Sequence, residues 1–237
     1  EVVTSISRFF ENWAMNWFDL GNPRPLPAPD PYIPIVWPDG EAVPLPAWQP
    51  GSVDELSFAQ LVARRRTRRS FGKLKSEHLG ALLDLSCRVH QTGEASLGFP
   101  ITRRPTPSAG AIHPIHLLLI NPGEATWYRY DAFTHALKAV KANSDPREAR
   151  IAMEAIVPAA DATLIVFAAE VGKVAARYAH PASLIWRDAG VLLGFLAMSA
   201  EALDLSFCPL GVTGEPWVSQ LLDEVGLVGV GVAFAGS

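Results

Sequence analysis

Five arginines fall inside one short stretch, "RRRTRRSFG", Arg64 to Gly72, in a chain with only 20 Lys and Arg and a net charge of -4. A phosphate dianion calls for guanidinium forks plus a hydroxyl and backbone donors for its remaining oxygens. Arg65, Thr67 and Arg69 alternate, with Arg66 between them, and alternate residues of an extended segment point the same way. That pattern aims two arginines and one hydroxyl at a single anion. The plain alternative is a solvated basic helix end, where cations complement the helix dipole.

Two further stretches could bring backbone close to a flat ligand. "RRPTPSAGAIHP", Arg103 to Pro114, holds Pro107, Ser108, Ala109 and Gly110: a rigid residue, a small hydroxyl and almost no side chain. "CPLGVTG", Cys208 to Gly214, places Pro209, Leu210 and Gly211 after a strand-like run. Glycine in such loops permits close approach, although both compositions also suit ordinary turns. Arg103 and Arg104, at the head of the first of these stretches, are further cations that could help the arginine cluster at a phosphate.

Other chemistries find less. His113 and His116 flank Pro114, but no third ligand has metal-site spacing, so no metal is expected. Gly-x-Ser-x-Gly is missing, as are Walker and Rossmann glycine patterns. Cys87 and Cys208 are far apart in sequence and read as buried hydrophobes in a reducing, cytoplasmic setting. The acidic balance argues against a nucleic-acid partner. The apolar run Ala189–Ala200 is shorter than a bilayer span, and no signal peptide is read, so no membrane partner is expected.

The elements that must position these residues follow from pattern. Ser5–Phe18 is aromatic at helical spacing. Pro23–Pro50 is proline-rich and reads as an ordered arm, with Ile33, Ile35 and Val36 as buried types and Trp37 and Trp48 as anchors. These form a first unit, 1–52, ahead of a domain over 53–237. Helices are expected over 53–66, over 76–93 with Ser76 as cap, over 145–157, over 183–203, and over 215–226 with Pro216 in the first turn. Strands are expected over 115–121, 125–131 and 162–170, from about 205, and over 227–236. On this count helices outnumber strands, in an α/β or α+β domain with helices covering a sheet.

The order "RRTRRSF … PSAGAIHP … YRYD … RDAG … CPLG" resembles the FMN-dependent nitroreductase superfamily over roughly 55–235. Within it the chain is most similar to the SagB-type dehydrogenases that mature thiazole- and oxazole-containing peptides. The resemblance implies an α+β nitroreductase fold: a central, mostly antiparallel sheet flanked by helices. It also implies a homodimer with FMN at the subunit interface. Arg65, Arg66, Thr67 and Arg69 would hold the phosphate. Pro107, Ser108, Ala109 and Gly110 would lie against the flavin ring. Pro209, Leu210 and Gly211 would present backbone to the flavin nitrogen N5. His113 would pack near the flavin or the dimer seam.

The implied activity is an FMN-dependent oxidoreductase, with hydride passing through N5 between NAD(P)H or an organic donor and an acceptor. Its substrate would be a small molecule or a peptide. Peptide-maturing members carry a Lys-Tyr pair before the Asp-Ala-Gly helix; here Tyr178 is present as the catalytic candidate, but Arg177 replaces the lysine. Arginine is a poor base, though it could lower the pKa of Tyr178. The alternatives are an azoline-to-azole peptide oxidase, and a catalytically degenerate flavin-binding subunit or scaffold in a peptide-modifying complex. In the scaffold case the N-terminal segments would be the docking surface.

Overall fold

The computed structural model describes residues 20–51, 56–223 and 226–237. The aromatic segment Ser5–Phe18 lies outside them. In chain order the elements are β1 (Arg24–Pro25), β2 (Asp39–Pro44), α1 (Phe58–Arg64), α2 (Ser76–Cys87), β3 (Gln91–Thr92), β4 (Thr102–Arg103), β5 (Ile115–Ile120) and β6 (Trp127–Asp131). They continue with β7 (Ala136–Val140), α3 (Pro146–Glu154), β8 (Thr163–Glu170), α4 (Val171–Ala175), β9 (Tyr178–Ala179), α5 (Ala182–Ala202), β10 (Ser206–Leu210) and β11 (Leu227–Gly236). Among the described residues strands therefore outnumber helices, against the sequence expectation.

Seven strands form one sheet in the order β10-β11-β8-β5-β6-β7-β2, and every neighbouring pair is antiparallel. The fold is thus α+β, a central antiparallel sheet flanked by helices. β8 lies near the middle, and all eight of its residues are buried. An apolar run such as "TLIVFAAE" suits a strand covered on both faces. Alternation then sorts its side chains. Ile165 and Phe167 join Leu117 and Leu119 of β5 in a core with Leu82 and Leu83 of α2 and Leu196 of α5. Leu164 and Val166 join Leu118 and Ile120 in a second core with Trp127, Met153 and Phe234.

α5 runs for 21 residues, within one residue of the expected bounds at each end, and its length and hydropathy alone would suit a bilayer span. It instead packs along α2 and over β10, β11 and β5. Ser199 on it accepts from the Ser86 hydroxyl of α2 at 2.9 Å.

The proline-rich arm is ordered and adds β2 to the sheet edge beside β7. Ile35 is its buried anchor, and its N–H donates to Glu170 at 2.7 Å. Glu170 also meets His116 at 2.7 Å, and Trp37 packs edge-on against that imidazole. Arg129 lies over the Trp37 ring and pairs with Asp39. Trp48 N–H donates to Asp84 of α2 at 3.0 Å. Ile33 and Val36, expected inside, are exposed. The arm is held by backbone and polar contacts at intervals, so the residues between anchors face solvent.

Three helix expectations change. The helix expected over 76–93 ends at Cys87, and Gln91–Thr92 form β3, paired with β4. α2 begins after Lys75, which has extended backbone and makes no side-chain cap, so Ser76 is its first helical residue. No helix forms among the described residues of 215–226; a series of turns stands there. The Glu215 carboxylate accepts from Gly229 N–H at 2.6 Å and from Ser219 N–H at 3.1 Å, while the Ser219 hydroxyl donates to Pro216 O. Isolated backbone turns, Val218 N–H to Gly214 O and Gln220 N–H to Pro216 O, share that segment with these side-chain bonds and do not propagate into a helix.

Candidate functional site

α1 opens with a capping box, Ser57 and Gln60 exchanging hydrogen bonds, and it stops at Arg64. Arg65 closes it with an N–H bond to Leu61 O, and irregular backbone follows until α2. The arginines beyond that break divide into two sets. Arg68 turns onto the C-terminal end of α5, donating to Glu201 at 2.9 Å and to Asp204 at 2.7 Å. The Glu201 side chain is only 2% exposed, so this contact balances a buried carboxylate. Arg68 N–H also donates to Phe207 O of β10. Arg64 lies 3.6 Å from Glu201.

Arg65, Arg66 and Arg69 are exposed, and none forms an ion pair among the described residues. Thr67 is half-buried between them. Arg69 lies against Cys208, where its guanidinium pulls down a thiol pKa that burial raises. The arginine segment therefore meets the Cys-Pro-Leu-Gly stretch. Pro209 and Leu210, expected in the loop, are still strand, paired with Ala233 and Val232, so the loop begins only at Gly211. Proline is tolerated because β10 is a sheet edge. Gly211 is exposed, a Cβ built on it would meet nothing, and its N–H donates to no partner among the described residues.

The Pro107–Gly110 loop is pinned by Asp188 on α5. The Ser108 hydroxyl donates to Asp188 at 2.5 Å and accepts from His113 N–H at 2.9 Å; Ala109 N–H donates to the other Asp188 oxygen at 3.2 Å. Burial raises the Asp188 pKa, and these two donors oppose it. Gly110, at φ +63°, takes the left-handed turn the loop requires. Asp188 was the missed positioning residue here. A lone carboxylate inside an apolar helix needs a partner, and that was the signal.

Tyr178 stands over this loop: a Cβ on Gly110 would lie 3.2 Å from its hydroxyl oxygen. That hydroxyl has no hydrogen-bond partner among the described residues. Arg177 does not serve it. Its guanidinium donates to Leu26 O of the arm at 3.1 Å, and Leu26 N–H donates back to Arg177 O. His113 likewise faces inward, its Nε2 donating to Thr102 O at 3.0 Å. Arg104 lines a cavity under the loop, away from the arginine segment.

The two halves of the site are tied to separate points along α5. α5 carries Asp188, which holds the loop, and Glu201, which holds Arg68. Between them the helix climbs about 20 Å at about 1.5 Å per residue.

Residues 62–225 match the nitroreductase family. The chain belongs to that family. Its fold is shared by a Ralstonia eutropha protein assigned as a nitroreductase, at 18% identity and TM-score 0.62, covering 89% of this chain and 98% of that one. An Anabaena variabilis protein with the same assignment gives 21% identity and TM-score 0.57; 85% of this chain is covered, and it spans 40% of that longer one. A chain of the Escherichia coli microcin synthetase McbBCD complex, solved with a truncated pro-MccB17 bound, gives 18% identity and TM-score 0.53, covering 80% of this chain and 76% of that one. Among curated proteins the sequence has no match. At these identities the structural likenesses establish the nitroreductase fold, and the site's chemistry must be argued from its own residues.

Proposed function

We propose that this nitroreductase-family chain is an FMN-dependent oxidoreductase that works as a homodimer. The observation that carries the reading is the trio Arg65, Arg66 and Arg69: exposed, without an ion pair among the described residues, and beside the open end of β10. Three such cations with Thr67 fit the phosphate of FMN, and the unengaged Gly211 N–H fits a hydrogen bond to a ring nitrogen. FMN, when bound, would supply hydride transfer at N5 between NAD(P)H or an organic donor and an acceptor. The chain's own residues would anchor the phosphate, present Gly211 and close the other side with the Pro107–Gly110 loop. Tyr178, unpartnered over Gly110, is the group placed to hold a proton near a substrate.

One chain does not bring the arginine segment and the loop together, which supports two copies sharing each flavin. α5 supports it further. Trp186, Val191 and Phe195 are 43%, 38% and 37% exposed, and Gly190 and Gly194 lie open among them. A stripe of large and small apolar residues at helical spacing suits a partner helix better than water.

The peptide-oxidase alternative would need a base beside Tyr178, and Arg177 is engaged by the arm. The fold likeness to a microcin synthetase chain keeps a peptide substrate as the second reading. Reconstituting the protein with FMN tests both. A yellow protein whose flavin band is bleached by NADH or NADPH without oxygen supports the first reading. Bound FMN that only a peptide substrate bleaches favours the second, and no FMN binding at micromolar concentration refutes both.

A further inference from the structure

β10 ends at Leu210, opposite Val232, while β11 extends from Val232 back to Leu227 with no strand beside it on that edge. The amides there are nonetheless engaged. Gly231 N–H donates to Thr213 O at 3.1 Å, and Gly229 N–H donates to the Glu215 carboxylate at 2.6 Å. The chain therefore leaves the ladder after Leu210 and returns to β11 at Thr213. Gly211 and Val212 bridge the gap, and neither amide finds a partner among the described residues.

The return point is tightly held. A Cβ on Gly229 would lie 2.5 Å from Thr213 O, so glycine is what lets that carbonyl approach β11. Gly214 is buried at φ +95°, with Val166 filling the place a side chain would need. β11 shifts register between Gly229 and Gly231, and bulges of this kind re-aim chain beside functional sites. Glu215 closes the arrangement. One of its oxygens takes Gly229 N–H and the other takes Ser219 N–H at 3.1 Å, so a single carboxylate ties β11 to the turn that follows the loop. An ionised acceptor makes these bonds stronger than neutral ones.

We propose that Glu215 is a positioning residue for the Gly211 amide. By fixing Thr213 and its own backbone against β11, it sets how far the two-residue bridge stands out and where Gly211 N–H points. This role rests on the flavin reading, in which that amide meets a ring nitrogen. Glu215 acts through Gly211 and has no part in the phosphate grip, which falls to the arginine segment, so mutation can separate the two.

Amide NMR of the full chain, with glycine labelled by heavy nitrogen, tests it. As FMN is added to wild type, the Gly211 amide proton should move downfield, the mark of a hydrogen bond forming. In Glu215→Ala that movement should fall to less than half, while FMN weakens by no more than about tenfold, the worth of one neutral hydrogen bond. Glu215→Gln keeps an oxygen for Gly229 N–H and should restore the movement. A full Gly211 shift in Glu215→Ala overturns the proposal, as does a glutamine variant no better than the alanine one. The ligand-free protein gives a second readout. Gly231 N–H, released by Thr213 O, should exchange at least tenfold faster in Glu215→Ala, and equal exchange overturns the positioning role whatever FMN does. A wild type that binds no FMN, or binds it without moving Gly211, overturns the flavin reading and this role with it; faster Gly231 exchange then marks a structural tie only. Should Glu215→Ala fail to fold, Glu215→Asp, one methylene short of Gly229, is judged by the same two signals.

Discussion

The arginine segment should come apart under mutation along the line the structure draws through it. Arg68→Ala removes the contacts at 2.9 Å and 2.7 Å to Glu201 and Asp204. Asp204 is 76% exposed, and losing that contact costs little. Glu201, at 2% exposure, keeps its charge inside the protein with only Arg64 within 3.6 Å. Breaking one partner of a buried pair costs about 3–5 kcal/mol, and Arg64 brings the value toward the lower end. Arg65→Ala with Arg69→Ala removes two exposed guanidinium groups, which should change stability by less than about 0.5 kcal/mol each. If both grip the FMN phosphate, each lost charged hydrogen bond is worth about 1.5–3 kcal/mol. Together they weaken FMN roughly 10²–10⁴-fold, at about 1.4 kcal/mol per tenfold. Urea unfolding reads the first effect and quenching of free FMN fluorescence the second. An unchanged FMN dissociation constant in the double variant refutes the phosphate assignment. A fully stable Arg68→Ala protein refutes the division itself.

Lys173→Met should stabilise the protein at pH 7. Burial lowers the Lys173 pKa from 10.5 to about 8, which corresponds to a cost of up to about 3 kcal/mol for the charged form at about 1.4 kcal/mol per unit. Between pH 8 and 10.5 the unfolded chain binds more protons than the folded one, so wild-type stability should rise across that window while the variant lacks this rise. A destabilised variant would mean that the ammonium has a favourable partner. Gly80→Ala, ordinarily worth about 1 kcal/mol of added helix stability, should destabilise instead. Its Cβ would fall 2.1 Å from Pro46 O, so the arm must move, and amide exchange along 45–50 should accelerate. Phe195→Asp should convert a dimer to monomer in sedimentation without unfolding it; an unchanged sedimentation coefficient would remove α5 from the interface.

The sheet's centre was readable because burial on both faces leaves an unmixed apolar run, as in "IHLLLI" and "TLIVFAAE". Its other edge was not. "DGEAVP" in β2 has strand-poor residues, and it is extended because β7 offers it a ladder. β7 itself, "ALKAV", is too short to declare a period. The 215–226 segment reads as a helix from its apolar spacing, yet Glu215 is drawn across to Gly229, a contact that no local pattern announces. The division of the arginines was hidden for the same reason: the carboxylates that claim Arg68 come 133 and 136 residues later.

Tyr178 shows how adjacency in sequence can mislead about chemistry. Arg177 beside a tyrosine suggests a cation tuning a phenol. Successive residues of extended chain point to opposite sides, and β9 pairs with β1 of the arm. Arg177, in the turn just before that short ladder, reaches Leu26 O, while the Tyr178 hydroxyl comes over Gly110. The arginine thus fixes where the tyrosine stands without touching its proton. A substitution at Arg177 should then act through the arm, loosening Leu26 and shifting Tyr178. Arg177→Lys, which can still reach one carbonyl, should disturb the loop less than Arg177→Ala. Amide exchange across 107–110 checks this, and equal protection in the lysine and alanine variants refutes it.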